Sequence, residues 1–381
     1  MQIAVLCHEF PPVGGGAAAV GESLAQAYRA NGHGVTVVTM GFEDLPREEI
    51  QNGVRVIRVP CGRKRRDMAS PVEGLRWAWN AWPLLKRLHA QSMFHVCHAH
   101  FIMPAGILAS WMKREFGVPF LITPHGSDVP GYNRERLKFA HRVAAPWWRR
   151  VCAEADRIVC PSHSLQNMVR SATRACDATV IPNGIAALRF RPLEKQKRIL
   201  LCSRLVERKG FHLFLEAIAP LNLPGWELDL VGEGPMFARL ARQAGSCRIP
   251  VHMHGWLDNR DARLAELYGR ALIFGLPSEQ ENFSIALLEG MSAGCAVITT
   301  DVSGNPEVIG NTGVLVPPRN VAAIRSAVQE LAAHEDRAQR MGNSAARRVA
   351  SEFTWSNVAS RYIAQLQALA GVQEESACAS A

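Results

Sequence analysis

Short runs of valine, isoleucine and leucine recur along the chain, and longer stretches with helical periodicity separate them. IAVLC (3–7) leads through the glycine-rich PPVGGG into a predicted helix over about 17–31, closed by Gly32. VTVVT (35–39), VRVIRV (54–59), FHVCHAH (94–100), PFLIT (119–123), RIVCP (157–161) and ATVIP (178–182) complete a first set of strands. RILLCS (198–203), WELDLVG (226–232), IPVHMHG (249–255), ALIFGLP (271–277), CAVITT (295–300) and TGVLVP (312–317) form a second. Strands this uniformly apolar are buried on both faces, and their alternation with helices predicts an α/β protein built on parallel sheets. Two sets predict two Rossmann-like, doubly wound domains, with ligands at the carboxyl ends of the strands. Asn-Gly and two prolines break the pattern in PNGIAALRFRP (182–192), which predicts domains over 1–186 and 187–354. A helix over about 355–371 follows the completed second set and is free to pack on either domain, the N-terminal one included; the tail to 381 is small and polar.

Composition narrows the class. The 381 residues suffice for two cores, and 48% hydrophobic with 20% charged residues is the profile of a folded protein. No apolar run reaches the ~18–20 residues of a membrane span. MQIAVLCHEF lacks a basic start and a cleavage site, so it reads as a first strand, not a signal peptide. Ten cysteines are scattered without a CxxC pair, and several sit in strands as small hydrophobes, which points to a reducing cytoplasm.

Charge is unevenly placed. The whole net excess of +9 falls within residues 1–190. RKRRDMASPVEGLRWAWNAWPLLKRL (63–88) joins a basic run to Trp77, Trp79 and Trp82, and RVAAPWWRR (142–150) repeats the theme. Such segments suit the surface of an anionic bilayer, so peripheral contact at the inner face of the cytoplasmic membrane is expected. The alternative, buried tryptophans beside solvated cations, stays open. No nucleic-acid motif accompanies the charge.

Four segments can carry chemistry. In PSEQENFSIALLEGMSAG (277–294), Glu281 lies ahead of a helix predicted to begin near Phe283, whose first N–H groups form an anion site. Glu281 can accept from sugar hydroxyls and Glu289 from a ribose diol; read alone, both could simply solvate a surface helix. In SRLVERKG (203–210), Arg204 and Lys209 leave a strand end, where two cations can grip a diphosphate, or can be ordinary surface. TPHGSDVPG (123–131) sets His125 and Asp128 in a loop after a strand. His98 and His100 share a face of theirs at i and i+2, but no cysteine or carboxylate set completes a zinc site. The glycines of PPVGGG admit a phosphate to the backbone, yet GxGxxG and its acidic partner are absent, which argues against a nicotinamide cofactor. Gly232-Glu233-Gly234 reads as a tight turn and little more.

In order and spacing, the Gly-rich loop, HAHF, TPHGSD, PNGI, SRLVERKG, VGEGP, HGWL, the Glu-x7-Glu block with GNPEVI, and FTW (353–355) resemble one family over nearly the whole chain. That family is the retaining glycosyltransferases of the two-Rossmann GT-B fold, family 4. The resemblance implies transfer of a hexosyl group from a nucleotide-diphosphate sugar, UDP preferred over GDP, to a hydroxyl acceptor in cell-surface glycan or glycolipid synthesis. It implies that Arg204 and Lys209 hold the diphosphate with the N–H groups of Phe283 and Ser284 and with Gly15 and Gly16, the last two brought up by domain closure. Glu281 and the neighbouring Asn282 would serve the transferred sugar, Glu289 the ribose, and His254 and Gly255 the base. His125 would lie beside the reacting carbon and Asp128 on the acceptor side. Asn282 and Ser284 stand where glycines are common, and Ala186 where aspartate is frequent, which leaves the donor sugar open. No DxD triplet is present to hold a metal, so no cofactor is expected. A nucleotide-sugar epimerase of the same fold, a sugar phosphorylase and a non-catalytic nucleotide-sugar-binding protein are the rival readings.

Overall fold

A computed structural model of the chain describes residues 1–66, 68–132, 138–173, 177–186 and 189–371, with 138–141 described by backbone alone. The polar tail expected over 372–381 lies outside these residues, as do Cys176 and Cys378. Two compact units result, one comprising Met1–Pro182 with the segment from Trp355, the other Asn183–Thr354. The division falls ahead of the break expected at 186 because Asn183 and Ile185 are already bonded into the second unit. Asn183 donates to the Phe283 carbonyl at 3.1 Å, and Ile185 bridges to Thr354.

The first unit opens with β1 (Gln2–Cys7), α1 (Gly16–Ala30), β2 (Gly34–Met40), β3 (Glu48–Gln51), β4 (Val54–Val59) and α2 (Pro71–Ser92). It continues through β5 (Val96–His100), α3 (Ala105–Phe116), β6 (Phe120–Thr123), α4 (Lys138–Glu154), β7 (Arg157–Cys160), α5 (His163–Ala172) and β8 (Ala178–Val180). Its sheet runs β3-β4-β2-β1-β5-β6-β7-β8, parallel except for β3, an antiparallel edge strand. EEIQ has no apolar run to announce it, and its charged side chains suit an exposed edge. Strand order reverses between β1 and β5, whose carboxyl ends therefore flank a crevice.

The second unit holds β9 (Gln196–Cys202), α6 (Phe211–Ile218), β10 (Glu227–Val231), α7 (Phe237–Ala244), β11 (Val251–Gly255), α8 (Ala262–Arg270), β12 (Ala271–Leu276) and α9 (Ile285–Ser292). β13 (Ala296–Thr300), α10 (Asn305–Ile309), β14 (Gly313–Val316), α11 (Val321–Ala333) and α12 (Glu335–Glu352) complete it. The sheet is wholly parallel in the order β11-β10-β9-β12-β13-β14, and it reverses between β9 and β12. The inner strands of both sheets are mostly buried on both faces, as their unbroken apolar runs require. The last helix, α13 (Trp355–Ala370), returns to the first unit. There the Tyr362 hydroxyl accepts from Thr123 Oγ1 at 3.3 Å, and Arg361 donates to the Val180 carbonyl at 2.8 Å.

Candidate active site

The second unit builds its site where its sheet reverses. β9 runs out into Ser203 and Arg204, and a short 3-10 turn at Glu207–Lys209 ends on Gly210 in the left-handed region, φ 71°. A Cβ on Gly210 would stand 2.1 Å from the Pro277 carbonyl oxygen, so only glycine lets this turn close on the loop after β12. The Glu279 N–H donates to the Arg208 carbonyl at 2.8 Å and locks the two loops together. Lys209 and Glu281 consequently meet as an ion pair, each side chain mostly buried, and Ser278 Oγ donates to the same Glu281 oxygen at 2.7 Å. Arg204 is exposed and makes no ion pair among the described residues. Its loop is backed by the turn that the sequence left without a role. Cβ atoms on Gly232 and Gly234 would stand 1.9 Å from the Ser203 carbonyl oxygen and 2.5 Å from that of Leu205.

Helix α9 starts at Ile285 with Ser284 as its N-cap residue, two positions later than the start expected at Phe283. Phe283 is instead an anchor: it is buried, its ring lies 5.5 Å from that of Phe353, and its carbonyl takes the bond from Asn183. The first N–H groups of α9 have no partner within the helix and follow directly on Glu281, Asn282, Phe283 and Ser284. Glu289, inside α9, is only 9% exposed and accepts from the Tyr268 hydroxyl at 2.8 Å. Burial pushes its carboxyl up to about 7, against the Tyr268 hydrogen bond and the Arg189 charge. Tyr268 thus holds Glu289 in place, a contact that no motif announced. His254 is committed to its own strand surface, with Nε2 2.7 Å from Oδ1 of the buried Asp229, which also binds Arg198 at 2.8 Å. The adjacent Gly255 has φ 68° and accepts from the Gly232 N–H at 2.7 Å, which sets the strand-end turn.

In the first unit, Gly15 is the N-cap of α1 and Gly16 its first residue, and a Cβ on either would meet nothing within 4 Å. The basic run behind this loop is a brace, which corrects the expectation of a solvated surface at Arg63. Arg63 is buried and donates to the His8, Arg65 and Arg66 carbonyls at 3.0, 2.8 and 3.2 Å. Arg66 donates from Nε to the Pro12 carbonyl at 2.8 Å, and its own carbonyl accepts from the Gly14 N–H at 2.9 Å.

The loop after β6 is likewise fixed from within. Asp128 Oδ1 accepts from the His125 N–H at 3.0 Å and Oδ2 from the Ile102 N–H at 2.7 Å. Both oxygens of this buried carboxylate thus accept from the backbone, and Asp128 holds the loop in shape. His98 also leaves the list of ligands, since Nδ1 lies 3.0 Å from the Tyr28 hydroxyl and Nε2 2.9 Å from Thr123 Oγ1. His100 Nδ1 lies 3.1 Å from His125 Nε2. Burial pushes His8, His98 and His125 down to about 3 and His100 well below the ordinary range, so all four are neutral at pH 7. Among the described residues, no group of three or more His, Cys, Asp or Glu side chains is arranged to hold a metal ion.

The tryptophans divide between the two expectations. Trp77 and Trp148 are core, which corrects their placement at a bilayer, whereas Trp79 is 75% exposed. Val72, Leu75 and Trp79 form one outward stripe on α2, and Val143 and Trp147 are exposed on α4. No helix among the described residues is long and apolar enough to cross a membrane.

Comparison with known proteins agrees with this geometry. The family model "Glycosyltransferase Family 4" matches residues 14–187, and "Glycosyl transferases group 1" matches 187–348. A glycogen synthase of Mycobacterium tuberculosis is 29% identical, covering 94% of this chain and 92% of its own. A GDP-mannose-dependent alpha-(1-6)-phosphatidylinositol monomannoside mannosyltransferase of that species is 26% identical, covering 94% and 96%. The crystal structure of HepE from Anabaena in complex with UDP superposes with a TM-score of 0.77 at 17% identity, covering 97% of this chain and all of that one. The chain belongs to glycosyltransferase family 4, with the GT-B fold, and is a glycosyltransferase.

Proposed function

We propose that the enzyme is a retaining, metal-independent transferase that moves a hexosyl group from a nucleotide-diphosphate sugar to a hydroxyl acceptor. The observation that carries this reading is that Arg204 leaves the end of β9, and the Lys209–Glu281 pair joins that loop to the start of α9 after β12, where the second sheet reverses. Breaking the bond between the anomeric carbon and the diphosphate leaves negative charge on phosphate oxygens. Arg204, Lys209 and the N–H groups that open α9 neutralise it in place of a divalent ion. Glu281 accepts from hydroxyls of the transferred sugar, and Glu289, when ionised, accepts from the ribose diol. In the first unit, the N–H groups at Gly15 and Gly16 can bind a phosphate, and the neutral imidazole of His125 can donate to a sugar hydroxyl. The acceptor oxygen attacks from the face the diphosphate leaves, a phosphate oxygen takes its proton, and the nucleoside diphosphate departs.

UDP-hexose is the donor proposed, with GDP-mannose as the alternative, since the mannosyltransferase relative is named for it. The stripe Val72, Leu75 and Trp79, with exposed Lys64, Arg65 and Arg66 just ahead of it in the chain, is proposed to rest on an anionic membrane that carries a lipid-linked acceptor. A thermal-shift panel of UDP, GDP and ADP, with and without EDTA, tests the donor site. A ligand at 100 times its dissociation constant adds about 2.7 kcal/mol. A shift with one nucleotide, unchanged by EDTA, is the expected result. An inverted anomer in the product, or activity lost to EDTA, would overturn the mechanism.

A further inference from the structure

We infer that His100 is a positioning residue that fixes the tautomer of His125, donating from its Nδ1 to His125 Nε2 and leaving Nδ1 of His125 as that ring's hydrogen donor. The inference rests on the reading in which His125 faces the transferred sugar. The two nitrogens are 3.1 Å apart and the rings lie nearly parallel, 17° between planes. Both rings are neutral, so one hydrogen is shared between two nitrogens and must belong to one of them.

The other end of His100 decides which. His100 is fully buried, and its Nε2 has no partner among the described residues. That nitrogen faces the bare backbone of Gly21 on α1, 3.7 Å from where a Cβ would stand. The neighbouring His98, its ring 4.2 Å away, cannot serve it, because both His98 nitrogens are held by Tyr28 and Thr123. If His125 carried hydrogen on Nε2, His100 would have to accept at Nδ1 and bury its own N–H without an acceptor. Orphaned buried N–H groups are rare, and a bare lone pair is the cheaper state. Hydrogen therefore sits on His100 Nδ1, and His125 carries its own on Nδ1. That nitrogen makes no hydrogen bond among the described residues, and His125 is partly exposed. A donor of fixed geometry thus remains available for a substrate hydroxyl.

The test is a long-range proton–nitrogen correlation spectrum of the full chain labelled with nitrogen-15 histidine, assigned with H125Q and H100N. The expected spectrum shows a protonated Nδ1 and a bare Nε2 on His125, with or without substrate. H100N keeps an amide donor near the place of Nδ1, and H100L removes it. H100L is expected to lose about 10–100-fold in kcat with the donor KM little changed, and H100N to recover most of the loss. Hydrogen on His125 Nε2 in the native protein overturns the assignment, whatever the activity of other variants. The expected tautomer, together with unchanged kcat in H100L or equal losses in H100L and H100N, overturns the positioning role. Full kcat in H125Q would instead count against the placement of His125 in the proposed function, while the spectrum still decides the tautomer.

Discussion

The two units place opposite kinds of chemistry at the ends of their strands. The first gathers His8, His98, His100 and His125, all held neutral by burial. The second gathers charge: exposed Arg204, the Lys209–Glu281 pair, and Glu289 poised near neutrality. A neutral imidazole supplies a directed hydrogen bond without a proton to lose, whereas a departing diphosphate needs cations. These histidines and Glu289 respond oppositely to acid. A histidine lowered from its ordinary 6.5 binds no proton in the fold while the unfolded chain does. Its neighbourhood therefore loses stability as pH falls from about 6.5 toward 3. Glu289 is raised from 4.5 to about 7, so it costs the fold stability above pH 7, and that cost is relieved as pH falls toward 4.5.

Acid provides the largest expected effect. Between pH 6.5 and 5, each of the four histidines withholds up to about 1.4 kcal/mol per pH unit from the first unit. Hydrogen exchange resolved by segment should show β1, β5 and β6 losing protection at pH 5 while β9 and β12 keep theirs; equal losses would erase the contrast. Removing charge from the second unit comes next. R204A should lower kcat/KM by about 100–1000-fold in steady-state assays and leave the melting temperature nearly unchanged, whereas K209A, which strands the mostly buried Glu281 carboxylate, should lower both.

Glu289 separates function from stability within one residue. E289Q should melt several degrees higher at pH 8, where the buried charge is costly, and bind donor about tenfold more weakly. In the native enzyme, the donor KM should rise as pH falls below about 7, as the carboxylate protonates. Y268F removes the hydroxyl that holds Glu289 ionised, and should move that rise to higher pH. The smallest effect belongs to the outer face of α2. L75A/W79A should reduce co-sedimentation with anionic vesicles at low salt by a few fold, with folding intact because both residues are exposed. Unchanged partition would remove the membrane from the account.

Much of this was legible in the sequence because parallel strands announce themselves as unbroken apolar runs and ligands gather at their carboxyl ends. SRLVERKG and PSEQENF stand where the chain leaves β9 and β12, and the sheet reversal brings Lys209 to Glu281. Other features depended on packing that no run of residues encodes. Arg63 reads as surface in RKRR, yet the carbonyls of His8, Arg65 and Arg66 call for a buried guanidinium. Asp128 sits in a motif and is spent on two backbone N–H groups. Tyr268 in α8 and Glu289 in α9 are separated by β12 and its loop, so their hydrogen bond leaves no local mark. Trp77 and Trp79 were separable in principle. The buried positions of α2 include 74, 77, 78, 81, 85 and 88, a helical stripe that contains the first tryptophan and excludes the second. EEIQ carries no apolar alternation, so β3 could not be read.

The most direct test of the donor site is a calorimetric titration of UDP, and in parallel GDP, into native and R204A/K209A protein in the presence of EDTA. The account predicts binding to the native protein by one of the two nucleotides, undiminished by EDTA and weakened at least 100-fold in the double variant. Equal affinity for native and variant protein, or binding that vanishes with EDTA, would contradict it.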